Sequence, residues 1–125
     1  MSDNNFVSFW VGVARSNRAL RACVTQAFTE DGDCLGSPFS RAFGVRHYHD
    51  GLLEAHCRKG QTTRIETLLR GASYDEVIVP RLQKAGTIED PVNCFVLLYD
   101  HRHSGRLEWA APDVALTFVG AVKYR

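Results

Sequence analysis

The sequence predicts an α+β fold: a small, mainly antiparallel sheet of three to four strands, with several short helices mostly inserted between the first strand and the C-terminal strands. Three observations lead there. The run from Pro91 to Asp100 carries Val92, Cys94, Val96 and Leu98 on one parity and Phe95, Leu97 and Tyr99 on the other, so it is a central strand that needs cover on both faces. The run from Phe6 to Val13 is equally rich in β-branched and aromatic residues and forms the first strand. Between these two runs, helical spacing and capping signals dominate. The chain's 125 residues make one domain, 1–125, large enough to remove roughly two-thirds of its unfolded surface from water.

In the first strand Val7, Phe9, Val11 and Val13 share one face, and Phe6, Ser8, Trp10 and Gly12 the other. Gly12 leaves a gap in its face, the mark of a bulge or of a second backbone coming close. Ser16 is placed to cap a helix whose apolar positions Leu20, Cys23, Val24, Ala27 and Phe28 follow the i, i+3, i+4, i+7, i+8 rule. The turn-forming cluster Glu30-Asp31-Gly32-Asp33 ends it. Ser37-Pro38, Phe39, Phe43 and Gly44 then spell a capped helix of under two turns. From Asp50 to Arg58 the spacing of Leu52, Leu53, His56 and Cys57 predicts another helix, capped by Asp50.

Thr63 with Glu66, and Ser73 with Glu76, form two capping-box patterns. The first opens a helix carrying Ile65, Leu68 and Leu69 up to Gly71. The second opens one carrying Tyr74, Val77, Ile78, Leu82 and Ala85 up to Gly86, with Pro80 expected to kink or split it. Pro91 starts the central strand without breaking a ladder. His101 to Arg106 is a polar turn, and Leu107 and Trp109 lie in a short strand ending before Pro112. In the last strand the heavy parity, Val114, Leu116, Phe118, Gly120, Val122 and Tyr124, is expected to pack on helices. The light parity, Ala115, Thr117, Val119, Ala121 and Lys123, is expected to be thinly covered. This order places the helices on one side of the sheet.

Fifteen Lys and Arg against 14 Asp and Glu leave a formal charge of +1, which supplies no global field for nucleic acid or an anionic membrane. Charge-driven recognition must be local. Cys23, Cys34, Cys57 and Cys94 form no CxxC, and Cys23 and Cys94 sit inside apolar patterns, the expectation for reduced core thiols. The N-terminal Met-Ser-Asp-Asn-Asn has no basic start followed by an apolar run, and no stretch approaches the roughly 18 apolar residues of a membrane span. A cytoplasmic, soluble protein is the expectation.

Few residues signal chemistry. Five histidines invite a metal reading, since His47 and His49, and His101 and His103, are spaced to share a strand face, with Asp50, His56 and Cys57 nearby. No HExxH, paired CxxC or calcium-loop spacing accompanies them, so neither metal nor other cofactor is expected. The alternative they keep open is a small His-dependent, metal-binding enzyme. No GxSxG, GxxxxGK or GxGxxG occurs, and each serine has a local role as strand, cap or turn residue; no catalytic residue is assigned. Arg15, Arg18 and Arg21, with Arg58, Lys59, Arg64 and Arg70, are better read as a solvated face than as a nucleic-acid surface. The acidic residues Glu30, Asp31, Asp33, Asp50 and Asp100 are candidates for partner contact, though each also suits a turn, cap or strand end. Trp10 reads as core and Trp109 as an interface anchor.

Several stretches together carry a family resemblance: Phe9-Trp10-Val11-Gly12; Glu30-Asp31-Gly32-Asp33 after the first helix; Phe39 to Gly44; Tyr48-His49-Asp50 to Glu54; Ile65 to Tyr74; and Leu116-Thr117-Phe118-Val119-Gly120 to Tyr124. In this order, across nearly the whole chain, they resemble the immunity protein 22 family of bacterial polymorphic toxin systems. The chain departs from that pattern at Ala121, where serine is commoner, and in the His-rich 47–49 and 101–103 turns. The resemblance implies a non-enzymatic protein that binds and neutralises a cognate toxin. For a nuclease toxin, Glu30, Asp31, Asp33, Asp50 and Asp100 become candidate phosphate mimics, with Trp109 as an anchor. A general protein-interaction module is the further alternative.

Overall fold

The computed structural model describes residues 4–46 and 48–125; Met1–Asp3, where the leader reading begins, and His47 of the first histidine pair lie outside them. Five strands make an antiparallel sheet: β1 (Phe6–Ala14), β4 (Leu53–Thr62), β5 (Val92–Tyr99), β6 (Glu108–Ala110) and β7 (Val114–Lys123), in the order β4-β5-β1-β7-β6. A separate hairpin joins β2 (Ala27–Phe28) to β3 (Cys34–Gly36). The helices are α1 (Asn17–Val24), α2 (Pro38–Phe43), α3 (Ile65–Leu68) and α4 (Asp75–Ala85). The sheet is larger than the three to four strands expected, and β1 holds its middle position with β5 beside it. None of the described helices is long and apolar enough to cross a membrane.

Both faces of β1 and β5 are covered along most of their length, so the helices cannot all lie on one side as the element order suggested. Val7, Phe9 and Val11 with Phe95, Leu97 and Tyr99 pack under α3 and α4 through Ile65, Leu68, Ile78 and Leu82. Trp10, Cys94, Val96 and Leu98 pack under α1 and α2 through Leu20, Val24, Phe39 and Phe43. Trp10 is fully buried, with Phe39 edge-on at 4.8 Å, His103 at 5.1 Å and Phe118 at 5.2 Å between ring centroids. Edge and tilted contacts of this kind suit the ring quadrupoles and add about 0.5–1.5 kcal/mol per pair beyond area burial.

A one-residue bulge explains how β7 serves both layers. Phe9 pairs with Gly120 but Trp10 pairs with Phe118, which leaves Val119 extra. A bulge reverses the facing of everything beyond it. Val114, Leu116 and Phe118 therefore join the α1–α2 layer, while Val122 and Tyr124, of the same parity, join the α3–α4 layer. Gly12 meets the close approach foreseen for it: a β carbon there would lie 1.7 Å from the Ala115 carbonyl oxygen.

Local chemistry set some helix ends and not others. Ser16 accepts the Ala19 N–H, and Ser37 and Ser40 cap α2 reciprocally before Gly44 in the left-handed region. But α1 stops at Val24, because Thr25 turns extended and its hydroxyl donates to the Arg21 carbonyl; Ala27 and Phe28 are exposed strand residues. The predicted 50–58 helix is a single 3₁₀ turn, Asp50–Leu52, followed by β4. Leu53, Ala55 and Cys57 face Leu98, Val96 and Cys94 across the ladder, so a period of two prevailed over a period of four. Neither capping box forms. Arg64 precedes α3 without a side-chain cap, its N–H bonded to the Thr62 hydroxyl, and Tyr74, left-handed at φ 60°, precedes α4. Ser73 instead donates its N–H to Glu54. Helix α4 runs unsplit through Pro80.

Gly12→Ala is expected to lose about 3 kcal/mol or more, because the obstruction is backbone that has no room to shift; Gly60→Ala, with open space around it, should stay within about 0.5 kcal/mol. Urea titration of both variants checks this. A second test concerns pH. The Tyr48 hydroxyl lies against the Val24 carbonyl and Ser37 Oγ, and burial pushes its pKa up to about 12. The fold thus favours the neutral phenol, and its contribution is complete below the ordinary value of about 10 and is lost as pH rises from there to about 12. Melting temperatures should fall over that window, and less steeply in Tyr48→Phe.

Candidate functional site

The residues singled out from the sequence do not converge on one point. Glu30, Asp31 and Asp33 are exposed in the turn of the β2–β3 hairpin, which is closed by the Thr29 N–H to the Asp33 carbonyl at 2.8 Å and by Gly32 at φ 89°. Phe28 and Leu35 flank this turn at 58% and 54% exposure. Asp50 stands at the hairpin's base. Gln26 donates to the Tyr48 carbonyl at 2.6 Å and to Asp50 Oδ1 at 3.3 Å, and accepts from Cys34 Sγ, so one side chain ties the three segments together.

Asp100 lies elsewhere and is engaged. It sits left-handed at φ 57°, and its Oδ1 accepts the Tyr124 hydroxyl at 2.6 Å and the Asn5 N–H at 3.1 Å, with Arg125 at 3.7 Å. These bonds tie the end of β5 to both outer ends of the described chain. Trp109 is on β6, at the opposite edge of the sheet from β4, half-buried with its ring 6.5 Å from Phe43. Of the six positions, the structure brings Asp50 to the hairpin's base and keeps Trp109 apart.

Among the described residues, His49, His103 and the cysteines have other occupations. His49 accepts the Gly51 N–H through Nδ1 at 3.2 Å, and His103 meets the Arg106 carbonyl at 2.8 Å beside Trp10. Ser8, fully buried, fixes this turn by donating to the His101 carbonyl and accepting the His103 N–H. Burial pushes the Cys23 thiol up to about 11 and the Cys94 thiol to about 12. At neutral pH both are protonated and poor nucleophiles. All four cysteines are free, and among the described residues no three His, Cys, Asp or Glu side chains gather as a metal site would require.

Two surface features escaped the sequence reading. Tyr74, Tyr99 and Tyr124 pack edge-on or tilted, with ring centroids 4.9–5.8 Å apart, around a hollow of about 250 Å³ that also touches Leu52, Asp100 and Arg125. Tyr99 is held by Glu54 and the Ser73 carbonyl at 2.8 Å each; burial, with the Glu54 carboxylate beside it, keeps its phenol neutral far above the usual range. Tyr74 stays 51% exposed. Only the three tyrosines' separate helical and strand patterns were visible in the sequence. The second feature is a cleft of about 410 Å³ on the α3–α4 side of the sheet, beside the 86–91 loop. Its carboxylates are Glu89 and Asp90, adjacent in the loop, and Glu108 on β6, and no spacing links the pair to the third.

Comparison with known proteins adds a family to this geometry. No curated protein and no solved structure matches the chain. A family model does: the one described as Immunity protein 22 matches residues 7–125, from the first strand through the tyrosine that clasps Asp100. With the match running the length of the described sheet, this chain belongs to the Immunity protein 22 family.

Proposed function

We propose that this protein binds a cognate bacterial toxin in the cytoplasm of the producing cell and neutralises it by protein–protein contact, with no chemistry of its own. The observation that carries the reading is the family match over residues 7–125. The architecture supports it: a sheet packed on both faces holds its surface in one shape before any partner arrives, which limits the ordering cost of binding.

The contact we favour for the acidic residues is the β2–β3 hairpin. Glu30, Asp31 and Asp33 are exposed, and Phe28 and Leu35 beside them offer apolar area that a partner would remove from water. A nuclease toxin with a basic substrate groove would meet three carboxylates in place of phosphates. With a net charge of only +1, attraction would come from this local cluster rather than from the whole molecule. Asp50, at the hairpin's base, would extend the patch, whereas Asp100 already has three partners and Trp109 is half-buried against the α1–α2 layer.

Co-expression with the toxic domain encoded beside it should rescue growth, and the two chains should purify together. Failure of the parent protein to protect would remove the reading itself. The triple variant Glu30→Lys, Asp31→Lys, Asp33→Lys should keep its melting temperature within a few degrees and slow association at least about tenfold at low salt. Undiminished association would dismiss the hairpin as the contact and leave the reading in place.

A further inference from the structure

We infer that the cleft on the α3–α4 face is a second recognition site, built for an extended, lysine- or arginine-bearing segment of a protein partner. The cleft exists because the covering layer stops short. Helix α4 ends at Gly86, which lies so close to β7 that a β carbon there would be 2.9 Å from the Val119 carbonyl oxygen. The loop 87–91 then crosses toward β5, anchored by buried Ile88. Beyond that crossing the sheet face is uncovered.

The floor there is a stretch of strand surface with small or apolar side chains. Val13 of β1 faces Ala115 of β7, Thr117 continues that face, and Glu108, paired with Thr117 from β6, stands at its edge. Val13 is 43% exposed, a cost the fold does not need, since the same face farther along β1 is fully covered. This is the thin cover expected for the light parity of β7, and here it opens a cavity of about 410 Å³, within the range of ligand sites.

The rim is of one sign. Glu89 and Asp90 from the loop and Glu108 from β6 are exposed carboxylates at the cleft, and none of the described residues lining it is Lys, Arg or His. The nearby Arg15 is directed to Asp113, at 3.6 Å. An apolar floor below a carboxylate rim matches one side-chain chemistry in particular. The methylene stem of lysine or arginine covers the floor while its head reaches the rim for charge-assisted hydrogen bonds. Floor and rim together span three adjacent strands, more than a single side chain covers, which favours an extended segment presenting alternate cations.

This inference stands on the cleft and does not require the toxin reading, although a toxin is one protein able to supply such a segment. The probe is a hexapeptide of alternating lysine and valine, with a glutamate–valine peptide as the charge-reversed control, titrated into the ¹⁵N-labelled protein at low salt. The lysine peptide is expected to shift the amides of 87–92, 108 and 115–117, and the control to shift none of them. Glu89→Gln, Asp90→Asn, Glu108→Gln together should weaken binding at least about tenfold. Thr117→Arg, an exposed change that puts the chain's own cation over the floor, should block it with the fold unchanged. Shifts centred on the 29–33 turn, shifts spread over all acidic surfaces, or undiminished binding by either variant would overturn the assignment.

Discussion

Strands β1 and β5 carry large apolar side chains on both faces, and the rest of the chain is arranged to keep both of them dry. Trp10 and Phe9 are neighbours in sequence and point to opposite layers, yet both are fully buried. A hydrogen-bonded pair of strands with such residues is stable only as the middle of a three-layer structure, because an uncovered face would forfeit roughly 1.5–3 kcal/mol for each large side chain left in water. Two helices on each side meet that requirement, α1 and α2 around Trp10, α3 and α4 around Phe9 and Phe95. The bulge at Val119 lets the one strand β7 contribute to both.

The same constraint bears on function. Side chains that elsewhere supply chemistry are absorbed here into holding the layers together. His103 packs against Trp10, Ser8 fastens the 101–103 turn, Tyr48 bridges α1 and α2, and Asp100 clasps the ends of the sheet. The features left open to a partner lie at the surface: the hairpin with its acidic turn, the exposed edge of Tyr74, and the cleft where the covering layer ends. A protein spending its polar groups in this way is equipped to present a shape, in keeping with the family to which it belongs.

Much of this was legible in the sequence, and the exceptions have definite causes. The two-sided run at 92–99, the first strand, the Ser16 and Ser37 caps and the Gly12 approach are local or strictly periodic signals, and local chemistry decides them. Residues 52–57 satisfied two periods at once. Leu52, Leu53, His56 and Cys57 fit a helix, Leu53, Ala55 and Cys57 fit a strand, and only the open edge of β5 decided between them. The capping-box patterns failed because tertiary partners took their members, Ser73's amide by Glu54 and Glu66's carboxylate by Gln83. The candidate acids were visible because the 30–33 cluster is contiguous. The site of Glu89, Asp90 and Glu108 was not, because only a helix end and a strand edge set the contiguous pair beside Glu108.

The central claim is that the binding surface exists before the partner does. Hydrogen–deuterium exchange of the protein, alone and saturated with its toxin, tests this most directly. Amides of β1 and β5 should exchange equally slowly in both states, with new protection confined to surface segments such as the hairpin turn and the cleft loop. Marked slowing throughout β1 and β5 on binding would mean that the partner creates the fold it recognises, and would contradict the account.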